Sequence, residues 1–318
     1  MKRKLRGLSV VVTGASSGIG RETALKLAER GARLGLNARR EDALDEVARL
    51  CRERGAECQV FPADVGIPEQ AAALARETVA ALGQVDVWIN NAGIYVMGTV
   101  EQTPMDAFER TMQVNFFGAV AATKAILPHF RARRGGMFVN VSSAIGLVTA
   151  PYLAAYSASK HALKAFSEAL RDEVRDLNID VSVIYPTSTD TPLFEHTANY
   201  TGKAVKPAEP VYQVSDVAEA ILDTIQSPRR DVIIGAAKGM SAFRTAAPST
   251  FDRMMSRKMR KGHFLPDRQA ATEGNLWEPM DQGTGSSAGW YRPKRGRKIV
   301  FAALALGAVP LIARALRA

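Results

Sequence analysis

What most constrains the fold of this 318-residue chain is the alternation of short apolar runs with longer stretches of helical period. The runs fall at 8–12, 33–38, 57–61, 85–89, 136–141, 180–185 and 231–234. Strands separated by helix-length connections cannot pair as hairpins. They pair in parallel through right-handed crossovers, which lay helices on both faces of one sheet. The pattern therefore predicts an α/β fold, a doubly wound seven-stranded parallel sheet flanked by helices, as one domain over residues 1–237. Helix ends are legible too: the stretch after the second run opens with Glu41 and Asp42 and closes at Gly55.

The formal charge of +10 raises the question of nucleic acid, and its distribution answers it. Residues 1–237 hold 27 Lys/Arg and 27 Asp/Glu, whereas 238–318 hold 15 and 5, so the body is neutral and a nucleic-acid partner is not expected. Past residue 237 the alternation stops. A basic, partly irregular extension, 238–298, contains a helix at 249–262 just past Pro248 and a Pro-, Gly- and Ser-rich stretch at 265–296. The apolar segment 299–313 follows, flanked by Lys294, Arg295, Arg297 and Lys298 before it and Arg314 and Arg317 after it. It is shorter than the ~20 residues a spanning helix needs. It reads as an anchor on an anionic cytoplasmic membrane surface or, given its length and Pro310, as a terminal helix docked on its own domain or a dimer partner. The basic start lacks the apolar region of a signal peptide, so a cytoplasmic location is expected, with Cys51 and Cys58 as reduced thiols. His129, His161, His196 and His263 are scattered, and no metal site is expected.

The first apolar run passes directly into Thr13-Gly14-Ala15-Ser16-Ser17-Gly18-Ile19-Gly20 and then into a helix expected at 21–30. Glycines there permit a tight turn, and the helix start offers free N–H groups to a pyrophosphate, so the segment reads as a dinucleotide-binding loop. Its spacing, Gly-x-x-x-Gly-x-Gly, differs from the common Gly-x-Gly-x-x-Gly. At the end of the second run, where a carboxylate would accept from the ribose 2′-hydroxyl of NAD(H), the chain has Asn37-Ala38-Arg39-Arg40. With no carboxylate to repel a 2′-phosphate and Arg39 available to bind one, NADP(H) is favoured over NAD(H). The alternative is that Arg39 and Arg40 simply open a solvated helix.

Tyr156 and Lys160 stand four apart in a helical pattern and project from one face, one turn apart. A free tyrosine titrates near 10, and about three units of depression, roughly 4 kcal/mol, would make it a base at neutral pH. A neighbouring ammonium and an oxidised nicotinamide act in that direction. Ser143, at the end of a strand, is placed to hydrogen-bond a substrate oxygen. Without their context, Tyr156 and Lys160 would be an ordinary amphipathic pair.

Taken together, the Thr-Gly-x-x-x-Gly-Ile-Gly loop, Asn90-Asn91-Ala92-Gly93, Asn115, Ser143 and Tyr156-x-x-x-Lys160 resemble the short-chain dehydrogenase/reductase superfamily over about residues 5–236. The resemblance implies a Rossmann-like fold in which Gly14, Ser16, Gly18, Ile19 and Gly20 line the pyrophosphate. Asp64 and Val65 would hold the adenine, Asn91 would close the cofactor pocket, and Thr191 would contact the nicotinamide carboxamide. It implies a tetrad: Tyr156 as acid/base, Ser143 orienting the substrate, Lys160 lowering the Tyr156 pKa and binding the nicotinamide ribose, and Asn115 positioning a relay water. It also implies a homo-oligomer built through the helices carrying Asn115 and Tyr156. One departure stands out, Pro186-Thr187 where the family has Pro-Gly, which bears on the geometry of that loop.

The activity expected is NADP(H)-dependent interconversion of a carbonyl and a secondary alcohol on a hydrophobic substrate of steroid, lipid or ketoacyl type. Residues 190–212 would cover that substrate, with Leu193, Phe194 and Tyr200 joining Ile145, Leu147 and Val148 around it, although loop packing explains those apolar residues equally well. Two other readings remain: a membrane-recruited protein that keeps the cofactor as a structural ligand, and a redox-neutral epimerase or dehydratase on the same fold.

Overall fold

The computed structural model describes residues 2–237 and 239–292. The apolar segment expected at 299–313, with its basic flanks, lies outside them. Seven parallel strands form the central sheet: β1 Ser9–Thr13, β2 Arg33–Ala38, β3 Cys58–Pro62, β4 Val87–Asn90, β5 Gly136–Val141, β6 Ile179–Tyr185 and β7 Asp231–Ile233. Their order across the sheet is β7-β6-β5-β4-β1-β2-β3. The seven apolar runs thus mark the seven strands, displaced by one or two residues at most ends. β1 reaches Thr13 because this polar residue still pairs in register with Asn37 and donates its hydroxyl to Ile89 O at 3.1 Å.

Helices α1 (Gly18–Glu29), α2 (Glu41–Glu53) and α7 (Val214–Gln226) pack one face of the sheet. The other face carries α3 (Pro68–Leu82), α4 (Met105–Met112), α5 (Gly118–Ala132) and α6 (Ala154–Glu173). β1, SVVVT, is buried along its whole length, as a strand covered on both sides must be. Cys51 and Cys58 are buried free thiols within the first of these cores. Because the strands are parallel, Thr13, Ala38, Asn90, Val141 and Tyr185 all end at one edge. The order reverses between β1 and β4, which opens a crevice there.

The extension folds back on the body. Helices α8 (Met240–Ala246) and α9 (Pro248–Gly262) are followed by a strand, Phe264–Arg268, antiparallel to Lys203–Val205. Phe251, Met255 and Met259, spaced by four, are the buried stripe of α9, while Arg253, Arg257, Arg260 and Lys261 face out. Residues 269–292 have little regular structure. Among the described residues, no helix is long and apolar enough to cross a membrane.

Candidate active site

The glycine loop sits in the crevice at the end of β1. α1 begins at Gly18, three residues earlier than expected, so Gly18 and Gly20 belong to the first helical turn and present its amides. Gly14 has φ +66°, and a Cβ on Gly20 would lie 2.2 Å from Gly14 O, so only glycine lets the loop close on itself here. Asn91 fastens the loop from β4, donating Nδ2 to Thr13 O at 2.8 Å. Gly14, Gly18 and Asn91, together with Ser16, Ile19 and Val65, line a cleft of about 200 Å³.

At the adenine end, the two arginines behave differently. Arg40 forks onto Asp42 with two bonds of 3.1 Å, the charge pairing of a helix start. Arg39 bonds to no carboxylate. Its Nη1 donates to Trp277 O at 2.8 Å and its Nη2 to Asn275 O at 2.6 Å. Neutral carbonyls orient this guanidinium without cancelling its charge. Asp64, also on the cleft wall, forms an ion pair with the buried Arg110 and accepts from Gly66 N at 2.8 Å. Arg110 carried no signal in the sequence, because its role depends on a fold contact 46 residues away.

At the other end of the cleft Tyr156 and Lys160 line it, while Ser143 and Asn115, the other two residues of the expected tetrad, stand outside its lining. Asn115 lies in a π-helical turn, Gln113–Phe117, between α4 and α5. Its Nδ2 donates to Ile94 O and to Ser159 Oγ, both at 3.0 Å, and its Oδ1 accepts from Ile94 N at 2.8 Å. A Cβ on Gly93 would come within 3.2 Å of that Oδ1 and 3.4 Å of Lys160 Nζ, so the two polar groups meet at a bare backbone. Lys160 donates to Val141 O at 3.0 Å and lies 5.8 Å from the Tyr156 ring centre. Ser143, two residues past the end of β5, caps the short turn Ala144–Gly146, accepting from Ile145 N at 3.2 Å.

Helix α6, which carries Tyr156 and Lys160, is registered on the sheet by a buried polar chain. Trp88 Nε1 donates to Asn90 Oδ1 (2.8 Å), Asn90 to Asn140 (2.8 Å) and Asn140 to Ser167 Oγ (2.7 Å). Every link is satisfied, which makes the chain a positional key and not a liability. Thr187 replaces the family glycine without strain, since it is not among the residues with positive φ and its hydroxyl donates to Ile234 O at 3.3 Å.

Burial dominates the electrostatics. Tyr156 and Lys160 are 7% and 4% exposed. Burial pushes the Tyr156 phenol up to about 12, with the Ser143 hydroxyl acting in the opposite sense. It pulls the Lys160 ammonium down to about 8. Burial thus acts against the depression of Tyr156 that the sequence suggested: it shifts both groups toward their neutral forms.

Behind Tyr156 lies a second, mostly apolar cavity of about 100 Å³, lined by Tyr95, Ile145, Phe194, Met255 and Met259, with Ser143 at its inner end. Tyr95 packs edge-on against Tyr156 at 4.6 Å and against Phe194 at 5.5 Å. Ile145 and Phe194 are where the sequence placed them. Leu193 instead lines the dinucleotide cleft, Val148 and Leu147 sit in the cluster around Tyr156, and Tyr200 packs beside Gly98, its amide donating to Met97 O. Sequence reasoning missed the methionines of α9, a segment it read only as a basic helix. Among the described residues, no group of three metal-ligating side chains converges.

Comparison with known proteins agrees with this architecture. Residues 9–201 match the family model for short chain dehydrogenases. A mouse dehydrogenase/reductase SDR family member 7B is 38% identical over 270 residues, covering 82% of this chain and 84% of that protein. An uncharacterized oxidoreductase, YxnA, from Bacillus subtilis is 33% identical over 323 residues, covering 96% and 90%. A short chain dehydrogenase/reductase from Burkholderia phymatum, solved in complex with NAD, superposes with a TM-score of 0.70 over 79% of this chain and 97% of that one. At 24% identity this is a likeness of fold. The chain belongs to the short-chain dehydrogenase/reductase family, oxidoreductases whose Rossmann-like fold binds NAD(P).

Proposed function

We propose that the protein reduces a carbonyl on an apolar substrate with NADP(H), with Tyr156 as proton donor. The observation that carries this reading is that Tyr156 alone, among the described residues, lines both the dinucleotide cleft and the apolar cavity. A group acting on both a cofactor and a substrate has to stand at such a junction.

The cleft fits a nicotinamide dinucleotide on two counts: the loop would be filled by any Cβ at Gly20, and Arg39 offers a charge that no carboxylate bonds. Gly14, Ser16, Gly18, Ile19 and Gly20 would hold the pyrophosphate, Asp64 and Val65 the adenine, Asn91 the cleft floor and Thr191 the carboxamide. Arg39 would take a 2′-phosphate, the feature that separates NADP from NAD. When bound, the dinucleotide supplies the two-electron redox chemistry. Ser143 would donate to the substrate oxygen, and Tyr156, a neutral phenol in its buried setting, would hand that oxygen its proton. Lys160 and Asn115 would order the polar groups that return a proton to Tyr156. A phenol held near 12 is in the acid form at neutral pH, as a proton donor has to be.

Family resemblance further supports a homo-oligomer through the face of α5 and α6. Phe117 is 48% exposed there and packs against Phe116, which in turn meets Phe166. Light scattering on the full-length protein would read the oligomeric state, and a strict monomer would contradict it. The activity itself is tested by NADPH absorbance across a panel of apolar ketones and aldehydes. Turnover of at least one member is expected. An epimerase or dehydratase would consume no NADPH, and an inert dinucleotide-binding protein would turn over nothing.

A further inference from the structure

Residues 273–290 cross the mouth of the dinucleotide cleft from rim to rim, held mainly by backbone groups. At the first rim, Asn275 N donates to His196 O at 3.0 Å and the Leu276 side chain is fully buried. Gly274 turns there with φ +51°, where a Cβ would come within 2.3 Å of His196 O. At the second rim, Asp190 accepts three bonds from the segment: Ser287 Oγ at 2.6 Å, Trp290 N at 2.8 Å and Ala288 N at 3.2 Å. Between these anchors, carbonyls accept from the body: Asn275 and Trp277 from Arg39, Met280 from Arg40 at 2.6 Å, and Thr284 from Arg21 at 2.9 Å. Gly285 O accepts from Gly18 N in the glycine loop at 3.0 Å.

We infer that residues 273–290 are a clasp forming the outer wall of the dinucleotide site, and that Asp190 is the positioning residue that latches it. The inference rests on the NADP(H) reading and goes beyond it. With both rims bonded, a dinucleotide enters or leaves the cleft by displacing the clasp. The latched clasp also fixes the side chain on which the 2′-phosphate reading depends. A free arginine samples many rotamers, whereas one held by two short carbonyl bonds keeps its remaining donors in place for a phosphate. Asp190 is buried, and its three side-chain bonds are all from the clasp. Its loss frees the second rim and leaves the first anchored. Because Asp190 adjoins Thr191, the latch lies on the same loop that closes the nicotinamide end.

The test is stopped-flow nicotinamide fluorescence on the full-length protein, with NADPH and NADH, for wild type, Asp190→Ala and Ser287→Ala. Loss of several bonds to a charged group predicts roughly tenfold faster NADPH association and dissociation in Asp190→Ala, and about two- to threefold in Ser287→Ala. The wild-type preference for NADPH over NADH falls in the same order, because the carbonyls that hold Arg39 are then tethered at the first rim alone. A merely structural role would weaken both dinucleotides equally and leave the preference intact, which overturns the inference. Variants that match wild type in rates and preference overturn it as well, and leave the cofactor reading standing. A wild type that does not prefer NADPH overturns the cofactor reading and this inference with it.

Discussion

The two walls of the dinucleotide cleft are built on different principles. The inner wall depends on residue type: Gly20 exists because no Cβ fits against Gly14 O, and Asn91 because its amide reaches Thr13 O. The outer wall depends on backbone direction. Carbonyls of residues 275, 277, 280 and 284 meet three arginines, and almost any side chain there leaves the carbonyl in place. A site can thus be half written in its residues and half in its path. Substitutions should act strongly on one wall and weakly on the other.

The largest expected effect is on the inner wall. Gly20→Ala puts a methyl 2.2 Å from a carbonyl oxygen of the same loop, and the loop must shift. NADPH affinity should fall by about 100-fold or more, read by fluorescence titration. An affinity within a few-fold of wild type would show that the loop tolerates what its geometry forbids.

Arg39 joins the walls, with its side chain from the inner and its support from the outer. Arg39→Ala should weaken NADPH by roughly 10- to 100-fold and NADH by less than about threefold, the signature of a lost charge-assisted bond to one phosphate. Equal losses for both dinucleotides would assign Arg39 to clasp packing alone.

The pH profile sharpens the same contrast at the nicotinamide end. Lys160 is depressed from 10.5 to about 8, so its ammonium is present below that pH and lost above it. Tyr156, raised to about 12, keeps its proton throughout the working range. Reductive kcat/KM, which reports the free enzyme, should therefore be flat near pH 7 and fall about tenfold by pH 9. A rise with pH would mean that a tyrosinate is the active form. The smallest effect belongs to the outer wall: Gln282 contributes its carbonyl to His196 at 2.8 Å, so Gln282→Ala should leave NADPH affinity within about twofold.

The same division explains what could be read from the sequence. The seven strands were visible because each is a short apolar run bounded by helical period, and the expected tetrad came from the resemblance of its motifs to the family, Tyr156 and Lys160 sharing one helical face. The clasp was not visible. A Pro-, Gly- and Ser-rich stretch looks alike whether it hangs free or is bonded at every second residue, and only the glycines at 274, 283 and 289, all at positive φ, mark its turns. Asp190 looked like a residue of a covering loop, since its partners are nearly 100 positions away. The Tyr156 pKa also escaped, because a lysine four residues on suggests depression while burial, which the sequence does not display, pushes the other way.

The most direct test of the central claim, that Tyr156 gives the proton in an NADPH-dependent carbonyl reduction, is Tyr156→Phe with a substrate that wild type turns over. Removing one hydroxyl from a buried site that Tyr95 continues to pack should leave NADPH binding near wild type. Reduction should slow by about 10²- to 10⁴-fold, the range for a lost general acid. Turnover that survives the substitution within a few-fold would contradict the account.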